Sequence, residues 1–106
     1  MIRWQRCAQV SQGKRAEARE WAKLVTKYVY AEHRVARGDR VLLKLFEPRF
    51  GVLNRLCWGA NLRHLDALDG WQKRMQADPE YQKLLSEAAG LFVEDSITDV
   101  VLEQVE

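Results

Sequence analysis

Residues 41–46, Val-Leu-Leu-Lys-Leu-Phe, carry apolar side chains on both sides of any strand they form. Successive strand residues point to opposite faces, so Val41, Leu43 and Leu45 share one face while Leu42 and Phe46 share the other. The closing segment "SITDVVLEQV" repeats the pattern, with Ile97, Val101 and Val105 opposing Val100 and Leu102. A sheet built from such strands needs cover on both faces, because a bare apolar face exceeds the patch soluble monomers normally carry. Helices cover one face. A second copy of the chain is expected to cover the other, giving a homodimer packed sheet against sheet.

The rest of the chain supplies the helices. Residues 2–10 alternate, with Ile2, Trp4, Ala8 and Val10 on one side and Arg3, Gln5, Cys7 and Gln9 on the other; Arg6 intrudes on the apolar side. From about residue 13 the period becomes helical, and Ala18, Trp21, Ala22, Val25, Tyr28 and Val29 make one face. That helix is expected to run out in "EHRVARGD", with His33 suiting the negative end of the dipole and Gly38 taking the left-handed cap. Two strands follow, about 40–47 and 53–60, joined through Pro48 and Gly51. Asn61 is placed to cap a second helix lined by Leu65, Leu68 and Met75, with Trp71 beside them. Pro79 then interrupts the helical pattern. Asp78 is a good N-cap and proline is tolerated at the first helical position, so "ADPEY" ends one helix and starts another at a new angle. The new helix is expected to bury Tyr81, Leu84, Leu85, Ala88 and Phe92. The order β-α-β-β-α-α-β predicts an α+β, ferredoxin-like single domain: a four-stranded antiparallel sheet, order 4-1-3-2, with helices on one face.

Composition narrows the classes further. At 106 residues, 47% apolar and 30% charged, the chain reads as one soluble globular domain. No apolar run approaches the ~20 residues that span a bilayer, and the arginines of "MIRWQRCAQV" leave no export signal, so a cytoplasmic protein is expected. Cys7 and Cys57 match no zinc motif and are expected as reduced, buried thiols, although their strands are expected to be neighbours. Residues 1–63 hold 14 Lys/Arg against 5 Asp/Glu and residues 64–106 hold 3 against 10, which favours segments facing each other over a nucleic-acid surface. The strand "VLNRLCWGA" also lacks the Gly-aromatic-x-aromatic pattern of an RNA-stacking sheet, so no nucleic-acid partner is expected.

Taken together, "MIRW" before a long amphipathic helix, "FG" in the hairpin, "LCWGANLRHLDAL", "ADPEYQKLL" and the last hydrophobic strand resemble the dimeric α/β-barrel superfamily. The likeness is greatest to its antibiotic-biosynthesis-monooxygenase and NIPSNAP-like branch and covers nearly the whole chain. It implies a homodimer with one ligand cavity per subunit between sheet and helices, and members that range from cofactor-free oxygenases to proteins without assigned activity. Haem is disfavoured: Leu85 stands where the haem-degrading subgroup places its axial histidine, and Arg6 and Cys7 stand where that subgroup has asparagine.

Polar residues on apolar stripes are the candidates for such a cavity. Arg6 needs a partner, because an isolated buried charge is costly; it either pairs with Asp99 or Glu103 of the last strand or polarises an anionic ligand. His64, at the edge of the second helix's stripe, is either an acid/base group or a core-edge histidine. Tyr81 is the third group able to polarise a substrate. Trp4, Tyr28, Trp58 and Trp71 either wall a pocket for an aromatic ligand or form plain core. The function classes left open are a cofactor-independent, monooxygenase-like enzyme on a small aromatic or polyketide-like molecule and a non-catalytic ligand-binding or interaction dimer. No cofactor or metal is expected.

Overall fold

A computed structural model describes residues 1–51 and 53–106. The elements are β1 (Ile2–Gln9), α1 (Arg15–Glu32), β2 (Val35–Ala36), β3 (Asp39–Arg40), β4 (Lys44–Phe46), β5 (Arg55–Leu62), α2 (Leu65–Gln76), α3 (Pro79–Ser86) and β6 (Thr98–Glu103). β4, β5, β1 and β6 form one antiparallel sheet in that spatial order. Read from the other edge, this is the expected order 4-1-3-2. The helices pack on one face. Ile2, Trp4 and Ala8 of β1 and Leu56, Trp58, Ala60 and Leu62 of β5 meet Ala18, Ala22, Val25 and Val29 of α1 and Ala67, Leu68, Trp71 and Met75 of α2 in a single core. Among the described residues no helix is long and apolar enough to cross a membrane.

Several boundaries differ from the sequence expectation. The strand expected over 40–47 pairs only at β4, because the chain first closes a small hairpin, β2 on β3. Arg37 (φ 51°) and Gly38 (φ 83°) supply its two left-handed turn residues. Gly38 therefore serves this hairpin, and α1 ends at Glu32 with His33 as its cap. Arg63 on Asp39 (3.1 Å), together with Arg74 donating to the Val35 carbonyl, ties the hairpin to the second half of the chain. β5 runs through Asn61 to Leu62, so His64, not Asn61, occupies the N-cap of α2, and Leu65 is exposed. The corner at Pro79 is as read, with Asp78 accepting from the Glu80 N–H at 2.9 Å. α3 is shorter than expected and fully buries nothing; Tyr81 and Leu84 pack partly, Leu85 is exposed, and Phe92 bridges to Val10 beyond the helix.

The uncovered sheet face is less apolar than the strand patterns imply. Arg3, Gln5, Cys7 and Gln9 line its centre, opposite Asn61, Gly59, Cys57 and Arg55 in turn. Apolar side chains flank this polar centre, Leu42 and Phe46 at one edge and Val100 and Leu102 at the other, each more than two-fifths exposed. β6 is exposed along its whole length.

The expectation of two reduced thiols is corrected here: Cys7 and Cys57 form a disulfide. They are direct partners in the β1–β5 register, with Cα atoms 4.1 Å apart. That is the close class of antiparallel pair, in which side chains on one face meet. A bridge between residues 50 apart in sequence restricts the unfolded chain, and bridges of this kind contribute about 2–4 kcal/mol. Thiol titration of the unreduced, unfolded protein is expected to find no free thiol. Reduction, or Cys7→Ser with Cys57→Ser, is expected to lower the melting temperature. Two free thiols before reduction would contradict the bridge.

Candidate functional site

Behind the sheet, between β1, β5, α1 and α3, lies a cavity of about 130 Å³. β1 directs Trp4, Arg6 and Ala8 into it because these positions share the helix-side face, and β5 adds Trp58. α1 contributes Trp21, Val25 and Val29 at helical spacing, and α2 contributes Trp71 and Met75. Tyr81 of α3, with Ala88, Phe92 and Ile97 from the segment before β6, closes the remaining side.

Six aromatic rings stand in the walls, those of Trp4, Trp21, Trp58, Trp71, Tyr81 and Phe92. Trp4 meets Trp71 edge to face at 5.5 Å, Trp21 meets Phe92 at 5.5 Å and Trp58 at 6.2 Å. Such contacts fix ring orientation, because the positive edge of one ring seeks the negative face of the other. Every indole N–H already has an acceptor. Trp71 donates to the His33 carbonyl (2.7 Å), Trp21 to the Leu84 carbonyl (2.8 Å), Trp58 to Thr26 Oγ1 (2.9 Å) and Trp4 to Asp99 Oδ2 (3.4 Å). The cavity therefore meets indole carbon together with the aliphatic and aromatic side chains of Val25, Val29, Leu43, Met75, Phe92 and Ile97.

Its polar end is Arg6. The guanidinium forks onto Asp99, Nε to Oδ1 at 2.7 Å and Nη2 to Oδ2 at 2.8 Å. The two residues face each other across β1 and β6, and each side chain keeps about a third of its surface exposed, so this end of the cavity reaches solvent. Arg6 also lies over the Trp4 ring, 5.3 Å from its centre. The hydrogen bonds from Arg6 hold the Asp99 carboxyl below the usual carboxylate range, and those to Asp99 raise Arg6. Burial pushes the Tyr81 phenol up. All three ionisable groups at this end are thus moved away from neutrality.

Of the residues singled out from sequence, Arg6, Tyr81, Trp4, Trp58 and Trp71 come together around the cavity. His64 and Tyr28 do not. His64 is exposed at the start of α2, where its backbone carbonyl receives the first turn. Tyr28 turns to the helix corner instead. Trp21 and Phe92, which line the cavity, read in the sequence only as members of helix faces.

The chain was compared with known proteins. A NIPSNAP family protein from Agrobacterium tumefaciens superposes with a TM-score of 0.79 at 15% identity, covering 99% of this chain and 93% of its own. An uncharacterised NIPSNAP domain protein from Burkholderia xenovorans gives 0.77 at 16%, covering 99% and 95%. An antibiotic biosynthesis monooxygenase gives 0.71 at 11%, covering both chains completely. The fold is the ferredoxin-like one of these NIPSNAP and antibiotic biosynthesis monooxygenase proteins. No family model and no curated protein matches the sequence. Identities this low carry the NIPSNAP-like architecture and leave the chemistry to the side chains.

Within that NIPSNAP-like frame, the corner between α2 and α3 is held by a second polar cluster. Tyr28 Oη donates to Asp78 Oδ2 at 2.6 Å, and His33 Nε2 lies 2.7 Å from the same oxygen. A carboxylate only accepts, so Nε2 carries the proton. The bonds from Tyr28 and then His33 hold Asp78 down to about 2, and the bond to Asp78 pushes Tyr28 up to about 12. A carboxylate depressed on folding stabilises the fold above its unfolded value, about 3.9, and stops doing so as pH falls through its folded value. Acidification from about pH 4 toward 2 is therefore expected to lose stability through this group. Asp78→Asn is expected to flatten that part of the acid-unfolding profile, followed by circular dichroism; an unchanged profile would remove Asp78 as the cause.

Proposed function

We propose that the chain binds one small, single-ring aromatic molecule in the cavity behind the sheet, ring between the indoles and polar head toward Arg6 and Tyr81. The observation that supports it most is the cavity's lining: four tryptophans whose N–H groups all have acceptors within the protein, around about 130 Å³. An apolar cavity of about 150 Å³ stays dry and takes benzene, so the enclosed space suits a single ring. Asp99 already compensates the Arg6 charge, so the mouth favours a neutral polar head; bringing a carboxylate in would leave a charge without a counter-ion. Phenol is expected to bind one per chain in calorimetric titration with a Kd between about 10 μM and 1 mM, and benzoate at least about tenfold more weakly. Heats without saturation for phenol, or tighter binding of benzoate, would count against this reading.

The whole-chain likeness to an antibiotic biosynthesis monooxygenase supports a second reading, cofactor-independent oxygenation of an aromatic substrate. A general base works best with a pKa near the operating pH. Asp99, Arg6 and Tyr81 are each displaced away from that range, so none of the three is a matched general base for such a substrate. Protein-dependent oxygen uptake with hydroquinone would favour the enzyme; saturable binding without uptake favours the binder.

The same proposal includes a homodimer formed over the uncovered face. β6 supports it, since Val100 and Leu102, opposite Gln5 and Arg3 on that face, are each more than two-fifths exposed in a strand at the sheet's edge, the kind of patch that association hides. Sedimentation is expected to give twice the 12.4 kDa chain mass; a stable monomer at micromolar concentration would oppose it.

A further inference from the structure

The polar groups of the cavity behind the sheet restrict which head a ligand can carry. Among the described residues, only the four indoles, Arg6 and Tyr81 bring side-chain nitrogen or oxygen to its lining. All four indole N–H groups have acceptors. Arg6 sets Nε and Nη2 on Asp99, and its Nη1 makes no hydrogen bond among the described residues. The Tyr81 hydroxyl makes none there either, although the ring is partly buried. The Tyr28 hydroxyl, by contrast, donates to Asp78.

Two donors thus stand without acceptors at one end of the cavity, near enough for the Arg6 charge to act on the Tyr81 phenol. Acceptors are few at that end. Asp99 already receives Arg6 twice and Trp4 once. Among the described residues, Tyr81 Oη is the only side-chain oxygen in the lining itself. Because this end reaches solvent, a ligand's head replaces water there. Binding suffers wherever the head cannot reproduce the hydrogen bonds of the water it displaces.

We infer that the cavity selects a single-ring aryl carbonyl compound, an aromatic ketone or aldehyde whose carbonyl oxygen accepts from Arg6 Nη1 and Tyr81 Oη together. Such an oxygen has two lone pairs and carries no proton, which suits two idle donors beside an occupied carboxylate. It is also uncharged, so Arg6 and Asp99 stay balanced. A hydroxyl head accepts as well, but its proton competes for acceptors already in use. Tyr81 is then a specificity-determining residue, the one that tells a ketone from a hydrocarbon. The inference rests on the reading that the cavity takes one aromatic ring, and it names the head which that ring carries.

The test is calorimetry on the intact protein with acetophenone, 1-phenylethanol and ethylbenzene, which share a carbon skeleton and differ in carrying a carbonyl, a hydroxyl or neither. All three are expected to saturate at one per chain, acetophenone at least about threefold tighter than 1-phenylethanol. Tyr81→Phe is expected to weaken acetophenone about fivefold and to leave ethylbenzene unchanged. Arg6→Lys keeps a cation on Asp99 but loses the guanidinium fork, and is expected to weaken acetophenone as well. The carbonyl stretching band of bound acetophenone, read by infrared difference spectroscopy, is expected at higher frequency in Tyr81→Phe than in wild type. Equal losses of acetophenone and ethylbenzene in Tyr81→Phe, an unmoved carbonyl band, or an alcohol bound as tightly as the ketone would overturn the inference and leave the cavity reading in place. Absence of saturable binding for all three compounds would overturn both.

Discussion

Trp71→Ala is expected to lower folding stability by about 3–5 kcal/mol, the range for removing a large aromatic from a packed core. Trp71 is fully buried, stands edge-on to Trp4, and is the most completely buried side chain of α2. It also does something a plain core residue does not: its N–H satisfies the carbonyl of His33, where α1 ends. Alanine leaves that acceptor without its donor and enlarges the existing void. At about 4–8 °C per kcal/mol for a domain of this size, the melting temperature is expected to fall by at least about 12 °C. Trp71→Phe separates the two contributions, keeping much of the packing and losing the hydrogen bond, and should fall between wild type and alanine. A phenylalanine variant as unstable as the alanine one would assign the effect to the hydrogen bond alone.

Val25→Phe is expected to weaken ligand binding sharply while the protein stays folded. Val25 is buried on α1 and lines the cavity, so a ring at this position takes the space proposed for the ligand's ring. Filling a void restores contacts its walls lack, and strain from any misfit runs to about 1–3 kcal/mol. Phenol affinity should drop at least about tenfold, measured by calorimetry, while thermal melting shows a folded protein. A folded Val25→Phe protein that binds phenol as tightly as wild type would place the ligand elsewhere.

Local features of this structure were legible in the sequence. The alternation of Ile2, Trp4 and Ala8 set one face of β1, and Asp78 before Pro79 set the helix corner, because each depends on residues adjacent in the chain. The pairing of Arg6 with Asp99 was also within reach, since the strand order puts first and last strands side by side and parity puts both side chains on one face. Relations that strand order and parity do not reach were not. Tyr28, His33 and Asp78 meet across about half the chain, and nothing in their spacing announces it. Cys7 and Cys57 were recognisable as neighbours, but their bond follows from an atomic register that periodicity does not resolve. The doubled apolar pattern of residues 41–46 overstated the uncovered face, since β1 and β5, which form its centre, put arginine, glutamine, asparagine and cysteine there. His64 reads as part of a helical stripe only if the helix begins earlier than it does.

A crystal structure grown with phenol tests the assignment most directly. The ring should lie within the indole walls, between Trp58 and Trp71, its hydroxyl directed to the end where Arg6 holds Asp99. Phenol found only on the outer surface, with the space between sheet and helices closed by repacked side chains, would contradict it.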